Sequence, residues 1–568
     1  MSPSQALDWP FDIAILDSRV AEKGRNAMMP RFRALILVCL VSATSRAPGQ
    51  QPRHADHVLG IVDFPVSCSA SARIQFNDGV ALLHHMTYPR AREIFEAVAV
   101  ADPRCAMAHW GIAMTLFQPL WPTRPGPAEL ARGWAAVQRA YALRPGSERE
   151  RLYVDAAAAF FREPEGSDYW LRIRRWEEAM AKTYAALPQD PEAAAFYALA
   201  HLATTPATEV TRAHADRAAE LLLPLYERNP DHPGAMHYLV HANDVPGRER
   251  ESLGIIRRYE TIAPRNPHAL HMPTHVYTRL GDWEAVIRGN LGAAEAALLH
   301  PAGDRGEFVW DEFPHAIEYL VYAHLQQGAD DAAAAQLRRL EETPRLEPSF
   351  KTAFHMASTR ARYALERHDW RAAGALVARE PAMLAWDRFP WPEAVTWFAR
   401  AIGAARGGDL ASAKASVERL NVLERAATSA GEELFARNIR ILRLGAAAWL
   451  AHGMGQDTGV ALLREAAALE ASTPKHAVTP GPTIPAEELL GDLLMARRTP
   501  AEALPAYRRS LESYPRRFNS VLGAARAARA TGDSAAARVY YGQLLELAPR
   551  SVRRAPFDEA RAFMARTP

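Results

Sequence analysis

Residues 500–515, PAEALPAYRRSLESYP, and residues 534–549, SAAARVYYGQLLELAP, decide the fold. Three residue types recur at matching places 34 residues apart: Ala503 with Ala537, Tyr507 with Tyr541, and Pro515 with Pro549. The small alanine lets two antiparallel helices approach, the aromatic ring fills the space between them, and the proline ends the second helix. A repeat of this length predicts a stack of helix-turn-helix units.

The composition of the chain agrees with helices almost throughout. Of its 568 residues, 49% are hydrophobic and 23% are charged, and apolar residues recur at spacings of three and four. No run of alternating β-branched residues is long enough to predict a sheet. This composition excludes collagen-like, disordered and multi-span membrane proteins. The 67 Lys and Arg nearly balance the 65 Asp and Glu, for a net charge of +2, so we expect no nucleic-acid partner.

Repeat-like patterns also occur in the remainder of the chain. They are Gly79/Ala91/Phe95/Pro103, Gly328/Ala333/Leu337, Trp397/Ala401/Gly408/Ala413, and Leu490-Gly491 through Pro515. On these residues the chain resembles the tetratricopeptide repeat proteins over most of residues 72–551. The resemblance implies an all-α solenoid, a right-handed superhelix in which the first helix of each unit lines the concave face. The segments around Cys68, Cys105 and His271 also resemble a group of exported bacterial repeat proteins of unassigned activity.

A secretory signal peptide is predicted ahead of the repeats. A basic start at residues 31–33 precedes the apolar run ALILVCLV at residues 34–41 and a small-residue cleavage pattern that ends near Ala43. Acidic residues before this start indicate that translation begins at Met28 or Met29. The apolar run is too short for a stable membrane span. We therefore expect an exported protein, periplasmic or extracellular.

Removal of the leader would leave two cysteines, Cys68 and Cys105. In an exported protein such a pair predicts one disulfide, and the resemblance to the exported repeat proteins supports it. Two buried thiols are the alternative.

The chain divides into five predicted segments: a leader at 1–47, an N-terminal array at 48–345, middle helical repeats at 346–472, a proline-rich linker at 473–485, and a C-terminal repeat pair at 486–568. Two insertions, residues 118–127 and 303–313, interrupt the first array, and each carries a tryptophan, Trp121 and Trp310. Such insertions commonly cover a binding face, although packing of each tryptophan against the array edge is the simpler interpretation.

Histidines recur in two successive units that begin at Pro233 and Pro267. In this frame His237 matches His271 and His241 matches His275, so both units contain H-x3-H. The spacing places both imidazoles on one helix face, and the resemblance places that face in the concave groove. Neighbouring first helices would then present four imidazoles to one cation.

Further groove residues follow from the same frame. A third unit beginning at Pro314 would add Glu318 and Tyr322, while Asp244 and Thr278 lie one turn beyond the second histidine of their units. The predicted ligand-binding groove is therefore His237, His241, Asp244, His271, His275, Thr278, Glu318 and Tyr322. Its predicted metal ligands are His237, His241, His271, His275 and Glu318. Second-tier residues are His268 and His315, and His84, His85 and His109 would join only if the superhelix curls tightly.

Two functions remain open at this point. The architecture favours an exported scaffold that binds a protein, peptide or small ligand on its concave face. The alternative is a metal-binding protein or metalloenzyme, for which imidazoles with a carboxylate suit zinc, copper, iron or nickel. A hydrogen-bonding groove and plain internal packing also explain the histidines. No cofactor is certain, catalytic residues are unknown, and the absence of H-E-x-x-H, Walker, G-x-S-x-G and paired C-x-x-C motifs leaves the enzyme question open.

Overall fold

The computed structural model describes residues 58–163, 165, 168–208, 212–303, 305–548 and 552–566. The predicted leader, its cleavage site and the predicted start at Met28 or Met29 lie outside the described residues.

Helices make up the regular structure of the first part of the described chain. They are α1 (Ala70–His84), α2 (Tyr88–Ala101), α3 (Ala106–Met114), α4 (Pro127–Ala142), α5 (Glu148–Phe161), α6 (Tyr169–Ala186), α7 (Pro191–Ala203), α8 (Ala213–Arg228), α9 (Pro233–Asn243), a 3-10 turn (Glu249–Ser252), α10 (Leu253–Ile262), α11 (Pro267–His271), α12 (Pro273–Leu280) and α13 (Trp283–Ala297).

The second part continues in the same way. Its helices are α14 (Glu312–Gln326), α15 (Asp330–Glu342), α16 (Phe350–Leu365), α17 (Trp370–Ala375), a 3-10 turn (Trp386–Arg388), α18 (Pro390–Gly407), α19 (Leu410–Ser429), α20 (Glu433–Gly453), α21 (Gly459–Ala471), α22 (Ala486–Ala496), α23 (Pro500–Ser513), α24 (Phe518–Ala530), α25 (Ser534–Leu547) and α26 (Ala555–Arg566).

Consecutive helices pack against each other along the chain, which confirms the predicted all-α repeat solenoid. Small and aromatic residues meet at the helix crossings, as the repeat pattern predicts. A Cβ atom at Gly111 would lie 2.4 Å from the ring of Phe95, and one at Gly523 would lie 2.3 Å from the ring of Tyr507. The aromatic rings therefore fill the space that the glycines leave. Among the described residues the β-type pairs are isolated bridges, not strands.

The solenoid curls tightly enough for distant helices to meet. Helix α1 contacts α9, and α14 contacts α24. The indole Nε1 of Trp283 donates a 3.1 Å hydrogen bond to the carbonyl of Arg516, and the buried Arg517 donates to the hydroxyl of Tyr322 at 3.0 Å. As a result, much of the concave side of the first array is interior.

Residues 473–485, predicted as a linker, lie against this interior. Arg362 on α16 donates hydrogen bonds to the carbonyls of Gly481 and Pro482, and Lys475 forms an ion pair with Asp244 at 2.8 Å. The prolines prevent a helix here. The irregular backbone, which makes a turn closed by a hydrogen bond from Thr479 N to the His476 carbonyl, instead follows the concave surface and covers it.

Cys68 and Cys105 form a disulfide with an S–S distance of 2.02 Å. Cys68 precedes α1 and Cys105 is the N-cap residue of α3, so the bond joins the segment before the first helix to the second repeat. Within the described residues no helix combines the length and apolar character needed to cross a membrane.

Candidate metal centre

Six histidines from neighbouring units form one continuous cluster, which we call the histidine cluster. It consists of two groups, His237 with His241 and His268, and His271 with His275 and His315. In each group the nitrogens that could bind a metal lie within 4.8 Å of one another. The groups adjoin, since the rings of His268 and His271 lie 6.1 Å apart and those of His241 and His275 lie 6.3 Å apart.

The four histidines of the two H-x3-H units thus lie together, and the second-tier His268 and His315 complete the two groups. Helix α9 carries the first pair. The second pair spans α11 and α12, where Pro273 interrupts the helix between them.

Glu318 and Tyr322, predicted beside these histidines, lie elsewhere. The residues that reach the cluster are three positions earlier than the frame starting at Pro314 predicts, which places the start of this unit at Asp311, the N-cap residue of α14. The rings of His315 and Tyr319 instead lie 4.1 Å and 4.6 Å from that of His271. Tyr322 accepts a hydrogen bond from Arg517.

Oxygen acceptors fix which nitrogen carries the hydrogen in four of the six rings. The Nδ1 of His271 contacts the Asn290 Oδ1 at 2.7 Å, and that amide is oriented by its own bond to the carbonyl of Val286. The Nδ1 of His275 contacts a carboxylate oxygen of Asp244 at 2.9 Å. Because these oxygens can only accept, each Nδ1 must donate.

The first group is oriented in the same way. The Nδ1 of His237 bonds the main-chain oxygen of His84, which the curled superhelix brings to α9. The Nδ1 of His268 lies 3.1 Å from a carboxylate oxygen of Glu312. His241 has no Nδ1 partner of this kind among the described contacts, and it is the partly exposed member of the cluster.

A two-step relay orients His315. Its Nδ1 lies 3.0 Å from the Nε2 of His355, whose own Nδ1 bonds Glu318. In the neutral form of His355, Nδ1 donates to the carboxylate and Nε2 accepts from His315. Glu318 therefore acts behind the cluster, where it also accepts from Ser358 and Arg362.

These bonds direct unprotonated nitrogens toward each other. A neutral imidazole with its hydrogen on Nδ1 has a lone pair on Nε2. The Nε2 atoms of His271 and His275 lie 2.9 Å apart, and those of His237 and His268 lie 3.1 Å apart. The Nε2 of His241 also lies 3.1 Å from that of His237, but no acceptor fixes the hydrogen of His241 on Nδ1. Facing lone pairs at this distance repel unless a cation or proton lies between them.

Burial keeps five of the six rings neutral by lowering their pKa values. It lowers the pKa of His237, His241, His271 and His315 well below the usual 6.5, and neighbouring imidazoles add to the effect. Burial, with Lys475, lowers the pKa of His275 to about 4. Protons are therefore a poor occupant of the cluster at neutral pH, which favours a metal ion.

Carboxylates and cations surround the imidazoles. Burial opposes the charge of Asp244, but Lys475, Arg279 and His275 outweigh it and hold its pKa well below the usual range. Glu312 behaves likewise, because the buried Lys351 and His268 outweigh its burial. Thr278, predicted in the groove, is buried in α12, and its hydroxyl has no hydrogen-bond partner in the described part of the chain.

A third group, His84 with Glu192 and His232, differs from the first two. Glu192 accepts from the Nε2 of His84 at 2.7 Å and from that of His232 at 3.1 Å. The Nδ1 of His232 accepts from the backbone of Ala235, and the Nδ1 of His84 contacts the Tyr238 hydroxyl at 3.0 Å. Every ring nitrogen has a partner, so this group is complete without an ion.

Two segments distant in sequence cover the histidine cluster. Trp121 from the first insertion and Val478 from residues 473–485 line, with four of the histidines, a cavity of about 20 Å³. Space of this size holds about one water molecule or one ion. Trp121 stacks on Trp310 of the second insertion, and the ammonium of Lys351 lies 3.6 Å from its ring centre.

The sequence did not indicate Lys351, His355 or the cover made by residues 473–485. Helix α16 has no H-x3-H pattern, and nothing local shows that its histidine faces α14. The tryptophan insertions were a usable signal for the cover, since both meet above the cluster.

Neither a protein-family model nor a curated protein sequence matches the chain. Among solved structures, a human IFIT1 dimer with m7Gppp-AAAA is similar, with 13% sequence identity, a TM-score of 0.37, and coverage of 86% of this chain and 91% of that chain. A human IFIT1 dimer with PPP-AAAA is also similar, with 13% sequence identity and a TM-score of 0.37. That match covers 87% of this chain and 93% of the IFIT1 chain. A likeness at this level concerns the helical fold and carries no argument about function.

Proposed function

We propose that this protein binds one or two transition-metal ions through the histidine cluster. The observation that carries the proposal is the convergence of Nε2 lone pairs in two pairs, His271 with His275 at 2.9 Å and His237 with His268 at 3.1 Å, while the Nδ1 atoms of these rings donate to fixed acceptors. Metal-binding histidines generally have such an outer acceptor, which sets the tautomer and the ring orientation. Packing alone gives no reason for lone pairs to face each other in a buried place.

The donor set suits zinc, copper, iron or nickel better than calcium or magnesium, because it consists of imidazole nitrogens. Each three-histidine group fills three positions of a tetrahedral ion and leaves one open. An open position allows a bound water or substrate, so hydrolysis and oxidation are the reaction classes that the centre could support. The adjacency of the two groups permits a pair of ions.

Nearby carboxylates favour the charge that an ion would bring. Asp244 and Glu312 each bond one histidine of the cluster, and Glu318 reaches His315 through His355. Glu312 and Glu318 are buried, and 7% of the Asp244 side chain is exposed. A cation among neutral imidazoles would therefore be balanced by carboxylates one bond away, while the cover of Trp121 keeps bulk water out.

Metal analysis tests the proposal. The protein is purified without a histidine tag, stripped with a chelator, dialysed against zinc or copper, and measured by elemental analysis together with circular dichroism. We expect one or two equivalents to be retained. A His241→Gln/His275→Gln double variant that stays folded should retain at least one equivalent less.

His232→Asn is the matched control. It removes a histidine from the third group, and asparagine preserves the N-cap of α9 that His232 provides. We expect its metal content to equal that of the wild type. A folded wild-type protein that retains no metal, or a double variant that retains as much as the wild type, would overturn the proposal.

The scaffold function favoured by the architecture would use other surfaces. Trp121 and Val478 cover the concave face above the cluster, so a protein or peptide partner would bind on the outer helices or at the edge of this cover. Export, a protein partner and the lack of a nucleic-acid partner stay predictions.

A further inference from the structure

A second cavity opens beside the covered cluster. It has a volume of about 190 Å³ and shares His241, Trp121 and Ala477 with the smaller cavity inside. We call it the mouth pocket. The shared residues lie at the boundary between the two cavities, and among them His241 is the one partly exposed histidine of the six.

The walls of the mouth pocket are mostly apolar. Leu202, Leu434 and Trp170 line it together with the ring of Trp121. Such surfaces bury an apolar ligand favourably, and flat aromatic walls favour a flat ligand. The pocket therefore suits a compact organic molecule better than a hydrated ion or a sugar.

The polar groups of the mouth pocket carry an excess of positive charge. Arg279 and Lys475 both line it, and both pair with the same carboxylate, Asp244. That carboxylate also accepts a hydrogen bond from His275. Arg124, a third cation of the lining, has its carboxylate partner Glu432 at 3.4 Å. Two partly exposed cations thus share one anion, and a second anion would complete the balance.

We propose that the mouth pocket binds a small aromatic carboxylate and delivers it to the metal centre. Its carboxylate lies between Arg279 and Lys475, its ring packs against Trp170 and Leu434, and its far edge points toward His241. The delivery role rests on the proposed function, whereas the binding itself does not need a metal.

Calorimetric titration of the metal-free protein tests the binding with three probes. Benzoate has both the ring and the charge, benzyl alcohol has the ring without the charge, and acetate has the charge without the ring. We expect benzoate to bind at least tenfold more tightly than either of the others. Equal binding of benzoate and benzyl alcohol, or no binding of benzoate, would overturn the proposal.

Charge variants locate the binding. Arg279→Gln and, separately, Lys475→Gln should each weaken benzoate binding about tenfold, because each removes one of the two cations. Because both variants are made separately, the test still works if one of them does not fold. Arg258→Gln is the control, since Arg258 forms an exposed ion pair with Asp231 away from the pocket, and it should bind like the wild type. Wild-type affinity in both folded pocket variants would refute the location.

The failures of the two proposals can be told apart. Copper-loaded protein that retains its metal but gives no heat with benzoate would leave the metal centre in place and refute the mouth pocket. Benzoate binding in protein that takes up no metal would preserve the pocket and refute delivery to a metal. If both hold, benzoate should shift the visible absorption of the copper-loaded protein, and an unchanged spectrum would refute delivery.

Discussion

Acidification should destabilise the metal-free protein through its buried histidines. Burial lowers the pKa of His275 from 6.5 to about 4 in the folded protein. Between these values the unfolded chain holds a proton on this residue and the folded protein does not, so the free energy of unfolding falls as the pH falls. A gap of about 2.5 pKa units corresponds to about 3 kcal/mol from this residue alone.

Four more histidines also lower the free energy of unfolding as the pH falls. His237, His241, His271 and His315 also have pKa values well below 6.5 because they are buried. The stability that the neutral rings contribute is present above about pH 6.5 and is lost progressively below it. Total stability of a domain is typically about 5–15 kcal/mol, so the loss from His275 alone is a large fraction of it.

Urea unfolding of the chelated protein, followed by circular dichroism at several pH values from about 7.5 to about 4.5, measures this effect. A His275→Gln variant should show a smaller loss across this range, by up to about 3 kcal/mol. Bound zinc should oppose the loss near pH 6.5, because metal and protons compete for the same nitrogens. A free energy of unfolding that stays constant or rises as the pH falls through this range would refute the reasoning.

Three further variants test the outer contacts of the centre, the helix packing and the disulfide. His355→Gln breaks the relay that orients His315, so the metal affinity should fall about 10- to 100-fold in a chelator competition, and wild-type affinity would contradict the relay. Gly111→Ala places a Cβ 2.4 Å from the ring of Phe95 and should lower the free energy of unfolding, measured by thermal unfolding, by about 1–3 kcal/mol. An unchanged stability would contradict this packing. Replacing both Cys68 and Cys105 by serine opens a loop with a separation of 37 residues and should cost about 4 kcal/mol in urea unfolding, and no loss would argue against the bond in solution.

The helical units were predictable because their signals are local. The 34-residue spacing of small, aromatic and proline residues indicates the packing of each helix on the next, and α9 and α11 begin at the prolines that open their units. The equivalence of the two H-x3-H pairs followed from the same spacing. Their convergence in one cluster therefore needed only the repeat geometry.

The third unit was harder to place because the insertion at residues 303–313 breaks the period. Pro314 resembles the prolines that begin the earlier units, yet it is the third residue of α14. The displacement exchanges Glu318 and Tyr322 for His315 and Tyr319 at the cluster. The frame that matches the earlier units starts at Asp311, the N-cap residue of α14, three residues before Pro314.

The sequence by itself determined the helices, their order and the recurrence of histidine at equivalent places, because these depend on residues within one or two units. Only the tertiary structure decided that the concave face is closed and that the imidazoles present lone pairs to one another. The bond from His237 to His84, the ion pair of Lys475 with Asp244, and the cover of Trp121 all join segments far apart in the chain. Such contacts depend on the curl of the whole superhelix, a sum of small rotations between units that no local pattern of residues specifies.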